Sequence, residues 1–399
     1  MAAPKDRPMR VAMIGTRGVP AAYGGFETAV DEIGRRMAAD GVEVTVYCRT
    51  RKGAPRPAAY EGMRLVHLPA LHSKTLETLS HTGLSVMHAL FRRRYDAAFV
   101  FNAANSPFLP VLRLARIPVA VHVDGLEWKR GKWGRVGRVY YRVAESLAVR
   151  WGDALIADAQ GIADYYEREF GVDTQLLTYG AKAIEAEPDE RLTDLGLQPG
   201  AFHLVVARFE PENHVDLIVE GYHRSSARLP LVVVGSAPYA AEHSRKIADI
   251  AASDERIRLL GGVWDQELLD QLYASALTYL HGHSVGGTNP SLLRAMGAAT
   301  AVIAYDVDFN REVAGPEAQY FGDPDGVRSC VERAESDVIS TKSAGSRLQN
   351  RAIERYDWDV VSRGYTELAF HLQERHISAG GRAKSRRSRV IPEVVSEAC

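Results

Sequence analysis

The chain has 399 residues, with 49 Lys or Arg against 50 Asp or Glu, which gives a formal net charge of −1. Hydrophobic residues make up 46% and charged residues 25%, as in an ordinary globular protein. This composition excludes collagen-like, disordered and disulfide-stapled classes, and the lack of a basic excess argues against a surface built for nucleic acid. At about 100–200 residues per domain, the length predicts two or three domains.

The cysteine pattern indicates a reducing environment. Cys48, Cys330 and Cys399 are far apart and have no histidine partners at the spacing of a metal site, so we expect neither a disulfide framework nor zinc. We find no signal-peptide pattern before the first apolar segment, and no apolar run approaches the ~20 residues that cross a bilayer. We therefore expect a cytoplasmic protein that does not span the membrane.

Short apolar segments alternate with longer helical ones along most of the chain, which is typical of parallel sheets flanked by helices. The first segment is a strand over 10–14, followed by a glycine-rich loop and a helix over 26–39. A last helical segment is predicted over 351–374. The other predicted strands are 42–48, 97–101, 119–123 and 154–157 in the first half and 202–206, 231–234, 257–260, 277–280 and 301–305 in the second.

The repeated pattern predicts an α/β protein with two doubly wound domains in tandem and a cleft between them. Residues 181–200 have no clean periodicity and mark the hinge. The predicted boundaries are 9–185 for the first domain, 186–360 for the second, 361–377 for a closing helix that packs back on the first, and 378–399 for a disordered basic tail.

Positive charge is concentrated between residues 81 and 150, where twelve Lys or Arg face four acidic residues. Within this segment, the helical pattern of 133–150 puts apolar residues on one face and Arg135, Arg138 and Arg142 on another. This pattern fits either an ordinary solvated helix or a surface that attracts anionic lipid or a pyrophosphate-bearing acceptor.

The loop after the first strand contains Gly15, Gly18, Gly24 and Gly25. It lacks the Gly-x-Gly-x-x-Gly spacing of a dinucleotide fingerprint, and Arg49, rather than an acid for a ribose hydroxyl, ends the second strand. An NAD-dependent enzyme is therefore disfavoured. Gly24 and Gly25 directly precede a helix, where bare amides can approach a diphosphate or a sugar hydroxyl.

A second loop of the same kind, 281–290 (HGHSVGGTNP), follows a strand of the second half, and its last residue suits the first turn of a helix. Its small residues are Gly286, Gly287, Thr288 and Asn289. Arg208 follows the strand 202–206 and suits bidentate contact with phosphate. Together these features predict a site for a phosphate-linked ligand in the cleft.

Several of these segments resemble one family. They are IGTRGVPAAYGGFET, HSKTLETLSHT, VDGLEWKRGKWG, ADAQGIADYY, ARFEPENH, HGHSVGGTNPSLL and YDVDFNREV, and they extend over most of 10–358. The chain resembles the retaining glycosyltransferases of family 4, which have two Rossmann-like domains in the GT-B arrangement. Within that family it resembles the bacterial rhamnosyltransferase-like branch, whose N-terminal domain was formerly uncharacterised.

The resemblance implies a nucleotide-diphosphate sugar donor held by the second domain and an acceptor held by the first. Gly24 and Gly25 match the loop beside the donor phosphates and the transferred sugar, and Arg208 matches the Arg that stabilises the leaving diphosphate. Asp124 falls where many relatives have a His close to the reacting sugar. Glu127 is placed to meet the acceptor hydroxyl or the sugar, so Asp124, Glu127 and Arg208 are the implied catalytic residues.

The implied donor-binding set also departs from the broader family at three positions, of which Gly286, in place of a Glu, agrees with the rhamnosyltransferase-like branch. The further members of the set are Asn213, His283, Gly286, Gly287, Thr288, Asn289 and Arg294, and the implied acceptor-binding residues are Lys129, Arg130 and Trp133. Asn213 replaces a Lys and so reduces the charge offered to the diphosphate. Arg294 replaces a Glu that grips the donor ribose, although Arg has only hydrogen-bond donors.

The resemblance implies a retaining hexosyltransferase that uses dTDP-L-rhamnose, without a metal or cofactor, in cell-surface polysaccharide or glycoconjugate biosynthesis. Its implied partners are a saccharide or lipid-linked acceptor and the inner membrane face, with no nucleic acid. The alternative is a non-catalytic relative that acts as a binding or scaffold subunit, because Arg294 replaces the donor-binding Glu. A sugar-nucleotide epimerase is less favoured, because the sequence offers no matching acid/base set.

Overall fold

The computed structural model describes residues 7–21, 24–50, 53, 55–71, 76–92, 95–123, 125–131, 133–235 and 241–379. The chain divides into two compact units. The first unit comprises Met1–Trp128, Arg135–Thr178 and Trp358–Cys399, and the second comprises Lys129–Gly134 and Tyr179–Asp357.

Each unit contains one sheet. The strands of the first are β1 (Arg10–Ile14), β2 (Glu43–Arg49), β3 (Ala59–Tyr60), β4 (Met63–Leu68), β5 (Ala97–Phe101), β6 (Val119–His122), β7 (Ala154–Ala157) and β8 (Gln175–Leu176). The strands of the second are β9 (His203–Val206), β10 (Leu231–Val234), β11 (Ile257–Gly261), β12 (Thr278–His281), β13 (Ala301–Tyr305) and β14 (Gln319–Phe321). Neighbouring strands are parallel except for β3 and β4.

Helices connect most of the strands. The α-helices are α1 (Gly25–Ala39), α2 (Glu77–Arg92), α3 (Leu109–Leu114), α4 (Arg135–Trp151), α5 (Gln160–Phe170), α6 (Glu190–Asp194), α7 (Val215–His223), α8 (Ala241–Ala252), α9 (Gln266–Ser275), α10 (Pro290–Gly297), α11 (Asp308–Ala314), α12 (Pro324–Ser336), α13 (Val338–Arg355) and α14 (Trp358–Ala379). Short 3-10 helices occupy Ala103–Phe108, Glu127–Lys129, Pro211–Asn213 and Gly315–Glu317. None of the helices in these described ranges is long and apolar enough to cross a membrane.

The first sheet has the order β3-β4-β2-β1-β5-β6-β7-β8. Since parallel crossovers are right-handed, the connections that run from β4 to β8 place α2, α3, α4 and α5 on one face, and the connection from β1 to β2 places α1 on the other. Side chains of α2 to α5 share one apolar core with the central strands, while α14 packs against α1. The helices of the first unit therefore form two separate layers.

The strand order reverses at one place in each sheet. In the first sheet this place lies between β1 and β5, and in the second, whose order is β11-β10-β9-β12-β13-β14, it lies between β9 and β12. Loops leave the carboxyl ends of these strand pairs in opposite directions and open a crevice where ligands of doubly wound sheets bind. The two glycine loops singled out in the sequence follow β1 and β12.

The predicted α/β class with two doubly wound units is confirmed. The main departure is in the segment 351–374, where the structure has two helices, α13 and α14. Between them the Tyr356 carbonyl accepts a hydrogen bond from the Ala181 amide, and Asp357 forms a β-bridge with Ala181. This pairing draws the chain out of helical geometry at a point where the apolar period continues.

Other departures are smaller. The strand β4 was not predicted, because its sequence mixes Arg64 and His67 with apolar residues, and the three-residue β14 is too short to show a period. The closing helix begins at Trp358 rather than 361 and ends at Ala379. Residues 380–399 of the predicted basic tail lie outside the described residues.

The loop after β1 passes so close to the end of β5 that only glycine fits at residue 15. Gly15 has a φ of 107°, and a Cβ atom there would lie 2.4 Å from the Phe101 carbonyl oxygen. We predict that Gly15→Ala lowers the free energy of unfolding by about 1–3 kcal/mol through overpacking. Urea denaturation of the purified variant measures this loss.

Gly161 is the matched control for this substitution. It lies in α5 of the same unit, and a Cβ atom there would have no neighbour within 4 Å among the described residues. Gly161→Ala should stabilise the protein by about 0.5–1 kcal/mol, because alanine loses less backbone entropy in a helix. Equal stability of the two variants would contradict the steric argument.

Candidate functional site

Arg208 lies at the carboxyl edge of the second sheet, two residues after β9. Its side chain is half-buried. Within the described part of the second unit, the guanidinium has no hydrogen-bond or ion-pair partner. A half-buried cation without a counter-ion, at the place where the strand order reverses, is suited to an anionic ligand.

Asn213 fixes the backbone of Arg208. Its side chain is 1% exposed, and its Nδ2 atom donates to the Arg208 carbonyl oxygen at 2.7 Å. The residue that the sequence predicts as a weakened phosphate ligand therefore acts on the loop that carries Arg208. The sequence alone does not reveal this hydrogen bond, because it depends on how the chain turns back over five residues.

The loop after β12 packs directly on this turn. A Cβ atom at Gly282 would lie 2.0 Å from the Asn213 carbonyl oxygen, so only glycine fits there. His214 has a left-handed backbone conformation, shares a hydrogen bond through Nδ1 with the Gly282 carbonyl oxygen at 2.8 Å, and stacks on Tyr305 at 4.1 Å. Sequence analysis missed His214 and Tyr305, which join the ends of β9, β12 and β13.

The glycine loop presents free backbone amides. Gly286 has a φ of 147°, and in the described part of the chain the amides of Gly286 and Gly287 donate to no other group. Asn289 caps the following helix α10, because its Oδ1 accepts from the Ser291 amide at 2.9 Å. Thr288 is buried beside it. Amides at the positive end of a helix are suited to binding phosphate oxygens.

Positive groups surround His283 on this loop. Burial lowers the pKa of His283 well below its ordinary value, and the positive charges of Arg130 and Arg208 lower it further. The His283 ring stacks on His281 at 5.3 Å, and burial lowers the pKa of His281 to about 3. Both imidazoles are therefore neutral near pH 7, and the fixed positive charge of the site comes from Arg130 and Arg208.

Glu212 is a buried acid that sequence analysis did not single out. Its side chain is 7% exposed, and neither carboxylate oxygen has a hydrogen-bond partner among the described residues. Its backbone carbonyl accepts from the Ser284 amide at 2.9 Å, which ties it to the glycine loop. A Cβ atom at Gly131 would lie 3.8 Å from Glu212 Oε2. This carboxylate is suited to accept hydrogen bonds from a ligand hydroxyl.

The predicted acceptor-binding residues belong to a different unit from the predicted catalytic acid Glu127. Lys129, Arg130 and Trp133 lie in the short segment that belongs to the second unit. Glu127 is buried and belongs to the first unit. Asp124 lies outside the described residues. The structure therefore brings Arg130 together with Arg208, whereas the roles of the other residues stay predictions.

The first glycine loop carries an acid of its own. Gly24 precedes α1 with a φ of 107°, and Gly25 is the first residue of that helix. The Glu27 carboxylate lies beside Gly24 and accepts a hydrogen bond from the Arg17 amide at 2.9 Å. Because this carboxylate repels a second anion, the N-terminus of α1 is better suited to a hydroxyl-bearing ligand than to a diphosphate.

Arg294 is bound to helix α9. Its Nε donates to Asp270 at 2.8 Å, Nη1 to the Gln266 side chain at 2.9 Å and Nη2 to the Gln266 carbonyl at 3.0 Å. The guanidinium also lies 5.6 Å from the centre of the Tyr273 ring. All three nitrogens are thus used to join α10 to α9, and a donor-binding role of Arg294 stays a prediction.

Two family models match the chain in succession. The glycosyl transferase 4-like domain matches residues 24–179, and the domain of glycosyl transferases group 1 matches residues 196–354. Together they cover most of the sequence and both units. The chain belongs to the glycosyltransferases of GT-B type.

Solved structures of this fold resemble the glycosyltransferase over nearly its whole length. Sucrose-phosphate synthase from Thermosynechococcus elongatus is 18% identical, with 94% of this chain and 100% of that chain covered at a TM-score of 0.75. HepE from Anabaena, in complex with UDP-glucose, is 15% identical, with 91% and 100% covered at a TM-score of 0.71. Trehalose 6-phosphate synthase from Burkholderia multivorans is 12% identical, with 96% and 100% covered at a TM-score of 0.68. No curated protein sequence matches this chain.

The described residues hold no group of three or more His, Cys, Asp or Glu side chains placed for a metal ion. The sequence expectation that the glycosyltransferase works without a metal stays a prediction.

Arg294 should act through stability. Arg294→Glu would place a carboxylate beside Asp270 and remove the donors to Gln266, so we predict a loss of about 1–3 kcal/mol in the free energy of unfolding. Nucleotide affinity should not rise. Adding Asp270→Arg to Arg294→Glu should recover part of the stability by reversing the pair. Chemical denaturation and calorimetric titration measure the two quantities, and an unchanged stability of the single variant would contradict the positioning role.

Proposed function

We propose that the chain is a retaining glycosyltransferase that moves a hexose from a nucleoside diphosphate sugar to a hydroxyl of a saccharide or lipid-linked acceptor. The observation that carries this proposal is that Arg208 and the free amides of Gly286 and Gly287 lie at the same edge of the second sheet. They lie on loops that leave β9 and β12, where the order of the second sheet reverses. Such a group binds a diphosphate and stabilises the charge that develops when it leaves.

Different side chains of the site suit the diphosphate and the sugar of the donor. Arg208, Arg130 and the α10 N-terminus supply positive potential for the diphosphate. Neutral His283 and the buried Glu212 offer hydrogen-bonding groups that suit sugar hydroxyls. The donor is thus recognised by its anionic and its hydroxyl-bearing parts with separate side chains of the second unit.

The acceptor is bound by residues of the first unit. Glu27 beside Gly24 and the buried Glu127 provide carboxylates for hydroxyl groups. The acceptor hydroxyl attacks the anomeric carbon from the face that the diphosphate leaves. A bond from that oxygen to the anomeric carbon forms as the bond to the phosphate oxygen breaks, and the hydroxyl proton passes to a phosphate oxygen or to Asp124.

There are two candidate sugar donors, each supported by a different argument. The sequence resemblance favours dTDP-L-rhamnose, used in the cytoplasm for cell-surface polysaccharide. The second candidate is UDP-glucose, because HepE, a protein of the same fold, binds it. Calorimetric titration with both donors, with dTDP, UDP and GDP, and with NAD discriminates between them.

We predict that Arg208→Ala lowers kcat about 10²–10³-fold, as expected for loss of a group that stabilises a leaving anion. The Kd for the bound nucleoside diphosphate should rise about tenfold or more, because a charged hydrogen bond is lost. Donor hydrolysis without acceptor, followed by proton NMR, measures the rate. The first-formed free sugar should keep the anomeric configuration of the donor, and EDTA should leave the rate unchanged.

Arg224→Ala is the matched control. Arg224 lies in the same unit, is exposed, and forms an ion pair with Glu220 one helical turn away. This variant should keep both kcat and nucleotide affinity. A folded wild-type protein that binds no nucleotide would contradict the proposal and favour the non-catalytic scaffold.

A further inference from the structure

The outer face of α2 is apolar. From residue 81 to residue 91 its exposed side chains are Leu84, Met87 and Phe91, which are 45%, 43% and 73% exposed. They follow one another at helical spacing and form a single stripe. A surface helix normally shows polar side chains to water, so this face is suited to an apolar partner.

The two neighbouring helices also expose apolar side chains. Helix α3 contacts both α2 and α4, and all three lie on the same face of the first sheet. Leu114 at the end of α3 is 75% exposed, and Val136, Val139 and Val143 of α4 are 85%, 64% and 51% exposed. An apolar surface that spans three helices is larger than the scattered exposed residues of an ordinary surface.

The outer face of these three helices is basic. Its exposed charged side chains are Arg113 on α3, Arg116 directly after α3, and Arg135, Arg138, Arg142 and Arg150 on α4. The acid of α4, Glu145, is buried against the Tyr165 hydroxyl, and burial raises its pKa to about 7. Glu77 of α2 is paired with Arg49. Arg142 is paired with Glu169 of the neighbouring helix α5. The described outer face of α2, α3 and α4 itself presents arginine and apolar side chains with little opposing negative charge.

We infer that the outer face of α2, α3 and α4 docks on an anionic phospholipid bilayer. Apolar side chains such as Phe91 and Val136 would enter the boundary between headgroups and acyl chains, and Arg135 and Arg138 would contact lipid phosphates. A second copy of the chain is a poorer occupant, because two such faces would bring like charges together. The docking needs no sugar donor, so it stands or falls independently of the proposed transferase activity.

The test is flotation of the full-length protein with vesicles. One vesicle contains only phosphatidylcholine, and the other contains about 30% phosphatidylglycerol, which gives the anionic surface. We expect a bound-to-free ratio at least tenfold higher on the anionic vesicle, falling steeply as salt rises from about 0.05 M to about 0.5 M. Equal binding to both vesicles, or binding to neither, would overturn the inference.

Two pairs of substitutions test the face itself. Arg135→Gln with Arg138→Gln should lower the ratio about 25-fold, since each basic residue near an anionic surface contributes about fivefold. Phe91→Ser with Val136→Ser should lower it about tenfold or more through lost apolar burial. Thermal melting of each double variant shows that it is folded.

Matched controls lie in the second unit. Ile339 is 85% exposed, as Val136 is, and Arg328 and Arg333 are exposed on α12. Ile339→Ser and the pair Arg328→Gln with Arg333→Gln should leave vesicle binding unchanged, and an equal loss in these controls would overturn the inference. A wild-type dimer in light scattering that Phe91→Ser converts to a monomer would also overturn it, in favour of a second copy on this face.

Discussion

The close approach of two loops at the carboxyl edge of the second sheet determines the candidate site. Because Gly282 leaves no room for a side chain beside the Asn213 carbonyl, the turn after β9 and the loop after β12 are held in contact. That contact brings Arg208 to the same edge as the amides of Gly286 and Gly287. A single methyl group at residue 282 would push apart the loops that carry Arg208 and these amides.

Asn213 and Arg294, which differ from the family pattern, both hold neighbouring parts of the chain in place. Asn213 gives up a charge and instead holds the backbone that carries Arg208. Arg294 exchanges a hydrogen-bond acceptor for contacts that join α10 to α9 through Asp270 and Gln266. Neither substitution removes the arginine and amides that form the anion site, so neither by itself argues for a protein without activity.

The sequence predicted the fold and the strand ends well, because these depend on local patterns. Apolar runs locate β9 and β12, and glycine, proline and arginine directly after them mark the loops that carry Arg208 and Gly286. The contacts of Arg294 with Asp270, the burial of Glu212 and the grouping of Arg130 with the second unit depend on residues distant in the sequence. No local period in the sequence encodes such contacts.

The chain is nearly neutral overall, yet it has positive potential in two places. The charges are half-buried in one place and exposed to solvent in the other. Around His283 the charge comes from half-buried arginine and from backbone amides that do not titrate, so dissolved salt screens it weakly. On α3 and α4 the charge comes from exposed arginines, which salt screens within about one Debye length of ~8–10 Å. A rise in ionic strength should therefore weaken the proposed membrane docking strongly and the proposed donor binding only slightly, so that salt concentration alone separates the two.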